Sequence, residues 1–309
     1  MSDSRALARP HMATVVVNGS SGGGRAGKVL PQVARSLRDG LPASELHIVR
    51  SSSFDEARNL TRAAAQAARP GDSVIVMGGD GMAHLGLNAC AQTDATLGII
   101  PAGTGNDFAR AIGVPRSLPD AVRTIIDGHV RVLDLNSLKT RSGRVFVGAV
   151  VSSGYDARVN RATNDIRLRF GALSYGVIAL KELSHFAPLS YRLTVDGEER
   201  ELEAMLVGVC NTGVFGGGMK ISPAADPADG LLDVTIVHKA SRGKLLRLLP
   251  SIYTGGFLKD PCVEVLRASS VRIDGDDLFL MGDGEELGGV PATVSCVPGA
   301  LKVYTTSRN

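Results

Sequence analysis

The sequence contains few cysteines, and they are isolated from one another. Cys90, Cys210, Cys262 and Cys296 are the only four in 309 residues, and none stands in the CxxC spacing of zinc or redox sites. A disulfide framework is therefore not expected. We interpret the four residues as buried thiols of a protein in a reducing cytoplasm.

Long hydrophobic runs and a large excess of charge are also missing. No run approaches the roughly 18 apolar residues that cross a bilayer, and residues 1–12 lack the apolar segment of a secretory signal. A net charge of +3 is too small to indicate a nucleic-acid-binding protein. The composition, 44% hydrophobic and 21% charged, predicts a soluble globular protein with a sizeable core. Any membrane contact would be peripheral, at the inner face.

Glycine, in contrast, is abundant, with 37 residues, and one glycine-rich stretch dominates the first half. Val74–Met77 is an apolar run typical of a buried strand, and it ends at Gly78-Gly79-Asp80-Gly81 before a helix predicted over 82–91. Backbone N–H groups in such a loop suit a phosphate. The carboxylate of Asp80 would need Mg²⁺ between itself and that phosphate. A tight strand-to-helix turn explains the same pattern equally well.

The order of predicted elements divides the chain in two. Strands and helices alternate through residue 112, which favours an open parallel sheet covered by helices on both faces, with its glycine-rich loops at the carboxyl edge. Short alternating strands follow, including Val145–Val151 and Thr293–Val297, and favour an all-β sandwich. We predict an α/β domain over 1–129, a β-sandwich domain over 130–298, and a last strand, Ala300–Tyr304, that returns to the first domain within 299–309.

A second glycine-rich segment, LGIIPAGTGNDFAR, runs from Leu97 to Arg110. Thr104 and Asn106 supply a hydroxyl and an amide after a predicted strand. Asp107 either caps a helix or helps to hold a metal–phosphate unit, and the segment alone favours the cap.

Two acidic segments in the second half have competing interpretations. Asp283-Gly284 is favoured as a hairpin turn, and the alternative is that Asp283 is a general base in phosphoryl transfer. Asp226 and Asp229, three residues apart in a Pro/Gly loop, suit Mg²⁺ or Ca²⁺ with a backbone carbonyl. A solvated acidic turn explains that spacing equally well.

Together these segments resemble the diacylglycerol kinase catalytic-domain family, which includes bacterial soluble diacylglycerol kinases and the sphingosine and ceramide kinases. They occur in the family's order and cover nearly the whole chain. GGDG alone would also fit NAD kinases and phosphofructokinase-like enzymes, but GTGNDFAR and the late DGE favour the lipid kinases. The matching segments are VNGSSGGG, VMGGDG, LGIIPAGTGNDFAR, CNTGVFGGGMKISPAADPADGLLDV and GDGEELGGVPATVSCVPGALKVY.

The resemblance implies a two-domain kinase with a phosphofructokinase/NAD-kinase-like first domain and ATP in the cleft between domains. It makes Asp283 the proton acceptor and assigns Mg²⁺ to Asp226, Asp229 and the Leu231 carbonyl. It assigns nucleotide binding to Asn18, Ser51, Gly78, Gly79, Asp80, Gly81, Met82, Thr104, Asn106 and Glu285.

The chain departs from the family pattern at three places. Gly19 stands where the family has proline, Met82 replaces a threonine beside the phosphates, and His84 and Leu85 replace asparagine and glutamate. Because backbone groups make most phosphate contacts, we expect these changes to affect catalytic rate and metal use more than nucleotide affinity.

The predicted activity is transfer of the ATP γ-phosphoryl group to the hydroxyl of diacylglycerol, which gives phosphatidic acid. The alternatives are a kinase for a sphingoid base, another lipid alcohol or a polyol, and a non-catalytic nucleotide or lipid sensor. Basic helices predicted over 166–186 and Arg242–Tyr253 are candidates for docking on an anionic membrane. Ordinary amphipathic helices with solvated basic side chains are the favoured interpretation. A homodimer is compatible with the sequence.

Overall fold

The computed structural model describes residues 10–306, except 20, 22, 156 and 160–186. The chain divides into two units. The first comprises Met1–Asp134 and Gly299–Asn309, and the second comprises Leu135–Pro298. The helix predicted over 166–186 lies outside the described residues.

The first unit is built on a parallel sheet with the strand order β2-β1-β3-β4, and the end of a late strand pairs with β4 through Lys302 and Val303. β3 and β4 are buried at every position, as expected for apolar strands covered on both faces. The elements are β1 (Met12–Asn18), α1 (Arg25–Gly40), β2 (Glu45–Ser51), α2 (Phe54–Ala67), β3 (Ser73–Gly78), α3 (Asp80–Cys90), β4 (Thr96–Pro101), α4 (Asp107–Ala111) and α5 (Leu118–Asp127).

Helices cover this sheet on both sides, which confirms the predicted α/β class. α1 and α5 share a core cluster with strand residues such as Ile75 and Met77. α3 packs closely on the other side, where a Cβ on Gly86 would lie 2.8 Å from Leu97 Cδ1. Helix α5 was not predicted, although Pro119 at its start and Gly128 after its end, with φ 72°, are ordinary helix boundary signals.

The second unit consists of antiparallel strands around a core of aliphatic side chains, as the β-sandwich prediction requires. The main strand order is β16-β15-β7-β9-β8-β14-β17, and β12 pairs with both β9 and β13. The strands are β5 (Val130–Thr140), β6 (Gly143–Val147), β7 (Val150–Gly154), β8 (Leu189–Val195), β9 (Glu198–Cys210), β10 (Val214–Phe215), β11 (Met219–Lys220), β12 (Leu232–His238), β13 (Val263–Ala268), β14 (Ser270–Gly275), β15 (Phe279–Gly282), β16 (Glu285–Gly289) and β17 (Ala292–Tyr304).

Two strand predictions were wrong. Val145–Val151 is not one strand, because β6 ends at Val147 and the N–H groups of Gly148 and Ala149 donate to a side chain instead of a neighbouring strand. Conversely, the two predicted final strands form one strand, β17, which continues through Gly299 with φ 62°.

A helical segment follows β12 and packs on a second apolar cluster of this unit. It comprises α6 (Arg242–Leu248) and two 3₁₀ helices, Leu249–Tyr253 and Gly256–Lys259. The helical prediction over Arg242–Tyr253 is confirmed, although its second half is 3₁₀ rather than α.

The four cysteines are free thiols, and Cys90, Cys210 and Cys262 are buried. Burial raises the pKa of the Cys90 thiol to about 12. Among the described residues, no helix has both the length and the apolar character to span a membrane.

Candidate active site

The carboxyl ends of the parallel strands place many of the predicted site residues at one edge of the first unit. The register sets Asn18 opposite Ser51, and Gly78 opposite Pro101. Strand order reverses between β1 and β3, and the loops that follow these two strands are both rich in glycine. This is the switch point at which open α/β sheets bind ligands.

The glycines after β3 and β4 allow two loops to pack backbone against backbone. A Cβ on Gly103 would lie 2.5 Å from Gly79 Cα, and one on Gly105 would lie 2.5 Å from Asp80 Oδ2. The N–H of Ala102 also donates to the Gly78 carbonyl, at 2.7 Å. Close loop packing is thus one physical reason for glycine at these positions.

Asp80 joins the same two loops through its carboxylate. Its oxygens accept the backbone N–H groups of Asn106, at 2.8 Å, and Asp107, at 2.7 Å, at the start of α4. The cap prediction for Asp107 was therefore wrong, because Asn106 is the N-cap residue and Asp107 pairs with Arg110. The Asn106 amide donates to the Gly103 carbonyl, at 2.9 Å, which orders the loop further.

The substituted positions after the GGDG loop lie mostly in the core. Met82 and Leu85 are buried, and a Cβ on Gly78 would lie 2.4 Å from Met82 Cγ. The Met82 side chain therefore packs against the strand end. His84 interacts with Asn88 one helical turn later.

Three residues with hydroxyl groups lie near this edge. Ser21 Oγ would lie 3.1 Å from a Cβ on Gly78, so it sits beside the loop that lacks the family's threonine. Sequence reasoning did not single out Ser21, although it belongs to the first glycine-rich loop. Ser51 is buried and its hydroxyl donates to the Val17 carbonyl, at 3.3 Å. Thr104 is exposed.

In the second unit, Asp283 occupies the turn between β15 and β16, with φ 50°. Its carboxylate accepts N–H groups from Gly148, at 2.8 Å, and Ala149, at 3.0 Å. The turn interpretation is confirmed, and the same turn holds the carboxylate in a fixed orientation. Glu285 is exposed, two residues further on, in β16 of this unit.

Buried asparagines hold the Gly148-Ala149 turn that contacts Asp283. Asn211 Nδ2 donates to the Gly148 carbonyl, at 3.0 Å, and the Asn211 N–H donates to the Ala149 carbonyl, at 2.8 Å. Asn136 is fully buried and donates to the Val209 carbonyl nearby, at 3.2 Å. Sequence reasoning assigned no role to Asn211, although it stands in a segment that resembles the family.

The acidic loop does not offer an open Mg²⁺ site. One Asp229 oxygen accepts the Leu231 N–H, at 3.0 Å, and the other forms an ion pair with Arg267, while Asp226 is exposed. Burial raises the pKa of the neighbouring Asp233, and Arg267 opposes that shift. Within the described residues, no group of three or more His, Cys, Asp or Glu side chains could hold a metal. The Mg²⁺ assignment stays a prediction, and these contacts do not favour it.

The chain combines an α/β unit, which has glycine-rich loops at its carboxyl edge, with a β-sandwich unit that holds an oriented aspartate. This combination defines a two-domain, NAD-kinase-like class of enzyme. A model of the diacylglycerol kinase catalytic domain matches residues 12–138, and one of the YegS C-terminal NAD kinase beta sandwich-like domain matches residues 149–305. The chain belongs to the diacylglycerol kinase catalytic-domain family and is a lipid kinase with ATP as phosphate donor.

Named relatives share long stretches of the sequence. The chain is 40% identical to a diacylglycerol kinase of Mycobacterium tuberculosis over 294 residues, or 94% of each chain. It is 32% identical to a diacylglycerol kinase of Bacillus subtilis over 76% of this chain and 78% of the other. A solved diacylglycerol kinase structure from Bacillus anthracis strain Sterne has the same fold, with a TM-score of 0.73 and 21% identity over 97% of this chain and 99% of that one.

Proposed function

We propose that this lipid kinase transfers the γ-phosphoryl group of ATP to the hydroxyl of diacylglycerol and so produces phosphatidic acid. The observation that supports this acceptor is the 40% identity to the M. tuberculosis diacylglycerol kinase across 94% of both chains. The Asp283 geometry described above is compatible with removal of a proton from an alcohol.

The ATP phosphates would bind at the carboxyl edge of the first unit. Helix α3 begins there, has 11 residues, and has no side-chain cap, so its first N–H groups and its dipole favour an anion. In this proposal, Asp80 acts by holding the two loops together. Direct nucleotide contacts fall to Asn18, Ser51, Gly78, Gly79, Gly81, Met82, Thr104, Asn106 and Glu285, with Met82 contributing its backbone.

Asp283 would accept the proton of the lipid hydroxyl as the alcohol oxygen attacks the γ-phosphorus. The two backbone donors hold both of its oxygens in a fixed orientation. Phosphoryl transfer depends mainly on positioning and charge neutralisation, and an oriented base contributes to the first. Mg²⁺ bound with ATP would supply charge neutralisation.

Access to the lipid requires contact with a membrane, and we propose a peripheral contact from the cytoplasm through α6 and the 3₁₀ helix Leu249–Tyr253 that follows it. Leu246 and Tyr253 are 45% and 52% exposed, beside the exposed basic residues Arg242 and Arg247. Apolar and basic side chains on one segment suit the surface of an anionic bilayer. Equal sedimentation with neutral and anionic vesicles would contradict the electrostatic part of this proposal.

A lipid panel assay with labelled ATP tests the acceptor. The purified protein is incubated with diacylglycerol, a sphingoid base or another long-chain alcohol, with and without Mg²⁺, and lipid-bound label is counted. We expect label on diacylglycerol above the other acceptors. Preferential labelling of another alcohol would overturn the acceptor, and nucleotide binding without transfer to any lipid would overturn the proposed activity.

A further inference from the structure

Asn211 lies directly after β9, at the point where this central strand ends. Its neighbour Cys210 pairs with Val150 of β7 on one side and with Asp233 of β12 on the other. Asn211 is 1% exposed, and the last seven residues of β9 are all buried. A short amide side chain in so closely packed a place has little freedom to turn, so its donor group keeps a fixed direction.

The Asn211 side chain is bonded to the peptide group that contacts Asp283. Its Nδ2 donates to the carbonyl of Gly148, at 3.0 Å. That carbonyl and the N–H of Ala149 belong to the same peptide unit, and this N–H donates to Asp283 Oδ1, at 3.0 Å. A hydrogen-bonded chain therefore runs from Asn211 through one peptide bond to the carboxylate of the proposed base. Because a peptide unit is planar and stiff, fixing its oxygen also fixes its N–H.

Polarisation of the peptide adds to this geometric effect. A donor at the carbonyl oxygen makes the N–H of the same peptide a stronger donor in its turn. Gly148 and Ala149 are buried, where the low local dielectric strengthens hydrogen bonds. The acceptor at the end of the chain is a carboxylate, and such charge-assisted bonds are roughly twice as strong as neutral ones. The Asn211 amide should therefore tighten the contact between the peptide and Asp283.

The other contacts of the Gly148-Ala149 turn hold it in place without bonding to this peptide oxygen. The backbone N–H groups of Asn211 and Thr212 donate to the Ala149 carbonyl, at 2.8 and 3.2 Å. That carbonyl belongs to the next peptide unit, and both donors persist when the side chain at 211 is shortened. Such a variant should keep the turn attached to β9 and release only the orientation of the peptide that contacts Asp283.

We infer that Asn211 is a positioning residue of the phosphoryl transfer, which fixes the carboxylate of Asp283 for proton transfer through the peptide between Gly148 and Ala149. The inference rests on the proposed role of Asp283 as the base. In this role Asn211 contacts neither ATP nor the acceptor, so loss of its amide should lower kcat and leave KM unchanged.

The kinetics of Asn211→Ala test this role against a purely structural one. We expect kcat to fall by about 10- to 100-fold, because misplacement of a reacting group by about 1 Å can cost about 100-fold. Thr235→Val is the matched control, since the fully buried Thr235 hydroxyl also donates to a backbone carbonyl of this unit, that of Ile221, at 3.1 Å. Each variant loses one buried hydrogen bond and should lower the Tm by about 2–4 °C, but Thr235→Val should keep its turnover.

A double variant shows whether Asn211 acts through Asp283. In the Asp283→Asn background, adding Asn211→Ala should change kcat by less than about twofold, since the base that it positions is already gone. A full additional loss of about 10- to 100-fold in that background would give Asn211 an independent role and overturn the proposal.

NMR observes the hydrogen-bonded chain without relying on catalysis. Labelling with ¹³C-carbonyl glycine and ¹⁵N-alanine limits an HNCO spectrum to the three Gly-Ala pairs of the sequence, at 148–149, 171–172 and 299–300. After sequential assignment, one cross peak reports both the Gly148 carbonyl and the Ala149 N–H. We expect Asn211→Ala to shift the carbonyl carbon and the amide proton of this peak upfield, because both hydrogen bonds weaken. Thr235→Val should leave the peak in place.

Three further results would overturn the proposal: normal kcat in Asn211→Ala, an Ala149 amide proton that Asn211→Ala does not shift, or an Asn211→Ala protein that fails to fold where Thr235→Val folds. Failure of the proposed function is seen separately. If Asp283→Asn keeps normal turnover, the base and the positioning role fall together. If Asp283→Asn loses turnover and Asn211→Ala does not, only the positioning role falls. Transfer to an alcohol other than diacylglycerol overturns the acceptor alone, since the same variants are then assayed with that alcohol.

Discussion

The carboxylate of Asp80 caps helix α4, because it accepts the N–H groups of Asn106 and Asp107 at 2.8 and 2.7 Å. Asp80→Ala removes both charge-assisted hydrogen bonds and should lower the free energy of unfolding by about 2–3 kcal/mol. ATP affinity should fall with it, since the two loops are no longer held together. Urea unfolding and nucleotide titration measure the two effects.

Asp94→Ala is the control for Asp80→Ala. Asp94 belongs to the same unit and makes only an exposed contact with Lys302, at 3.8 Å. Such a surface pair contributes less than about 1 kcal/mol. An Asp80→Ala protein with unchanged stability but no turnover would contradict a positioning role and assign Asp80 a direct contact with nucleotide or metal.

The backbone contact between the two loops gives a second prediction. In Gly103→Ala, the new Cβ would lie 2.5 Å from Gly79 Cα, and overpacking of this kind costs about 1–3 kcal/mol. Because Gly79 is at the start of α3, we expect a raised KM for ATP as well. Gly19→Ala, at a position with nothing within 4 Å of the new Cβ, should change neither quantity. Normal ATP kinetics in Gly103→Ala would show that the loop contact does not shape the nucleotide site.

Local sequence patterns predict local structure, whereas contacts between distant segments leave no local signal. The apolar run Val74–Met77 and the residues around it suffice to predict a buried strand followed by a helix, and parallel register then brings the loops to one edge. The break at Gly148-Ala149 could not be predicted in this way, because it depends on Asp283, 135 residues away from Gly148. Asp107 was likewise assigned to a local cap, whereas the actual acceptor, Asp80, belongs to another loop.

Two aspartates in equivalent turns provide a matched test of the proposed base. Asp283 and Asp196 each begin an Asp-Gly hairpin turn, with φ 50° and 47°, and each accepts backbone N–H groups through its carboxylate. Asparagine tolerates this conformation, so both Asn variants should fold. We expect Asp283→Asn to reduce kcat by about 100- to 10,000-fold with little change in ATP affinity, and Asp196→Asn to retain turnover. Comparable kcat values in the two variants would remove Asp283 from the mechanism.

The ion pair between Arg267 and Asp229 predicts that the acidic loop of the unmodified protein does not bind Mg²⁺. A metal that binds only the folded state raises its melting temperature with concentration. Because the Arg267 guanidinium already neutralises Asp229, we expect the same Tm for the unmodified protein in EDTA and in MgCl₂ without nucleotide.

Arg267→Gln removes that cation and leaves Asp226 and Asp229 as oxygen ligands, so its Tm should rise with Mg²⁺. Arg192→Gln removes the same charge from an exposed pair with Asp274, at 3.6 Å, and should show no such dependence. If Mg²⁺ instead raises the Tm of the unmodified protein and Asp229→Asn abolishes that rise, the loop is the metal site that the sequence predicts, and Arg267 is a secondary partner.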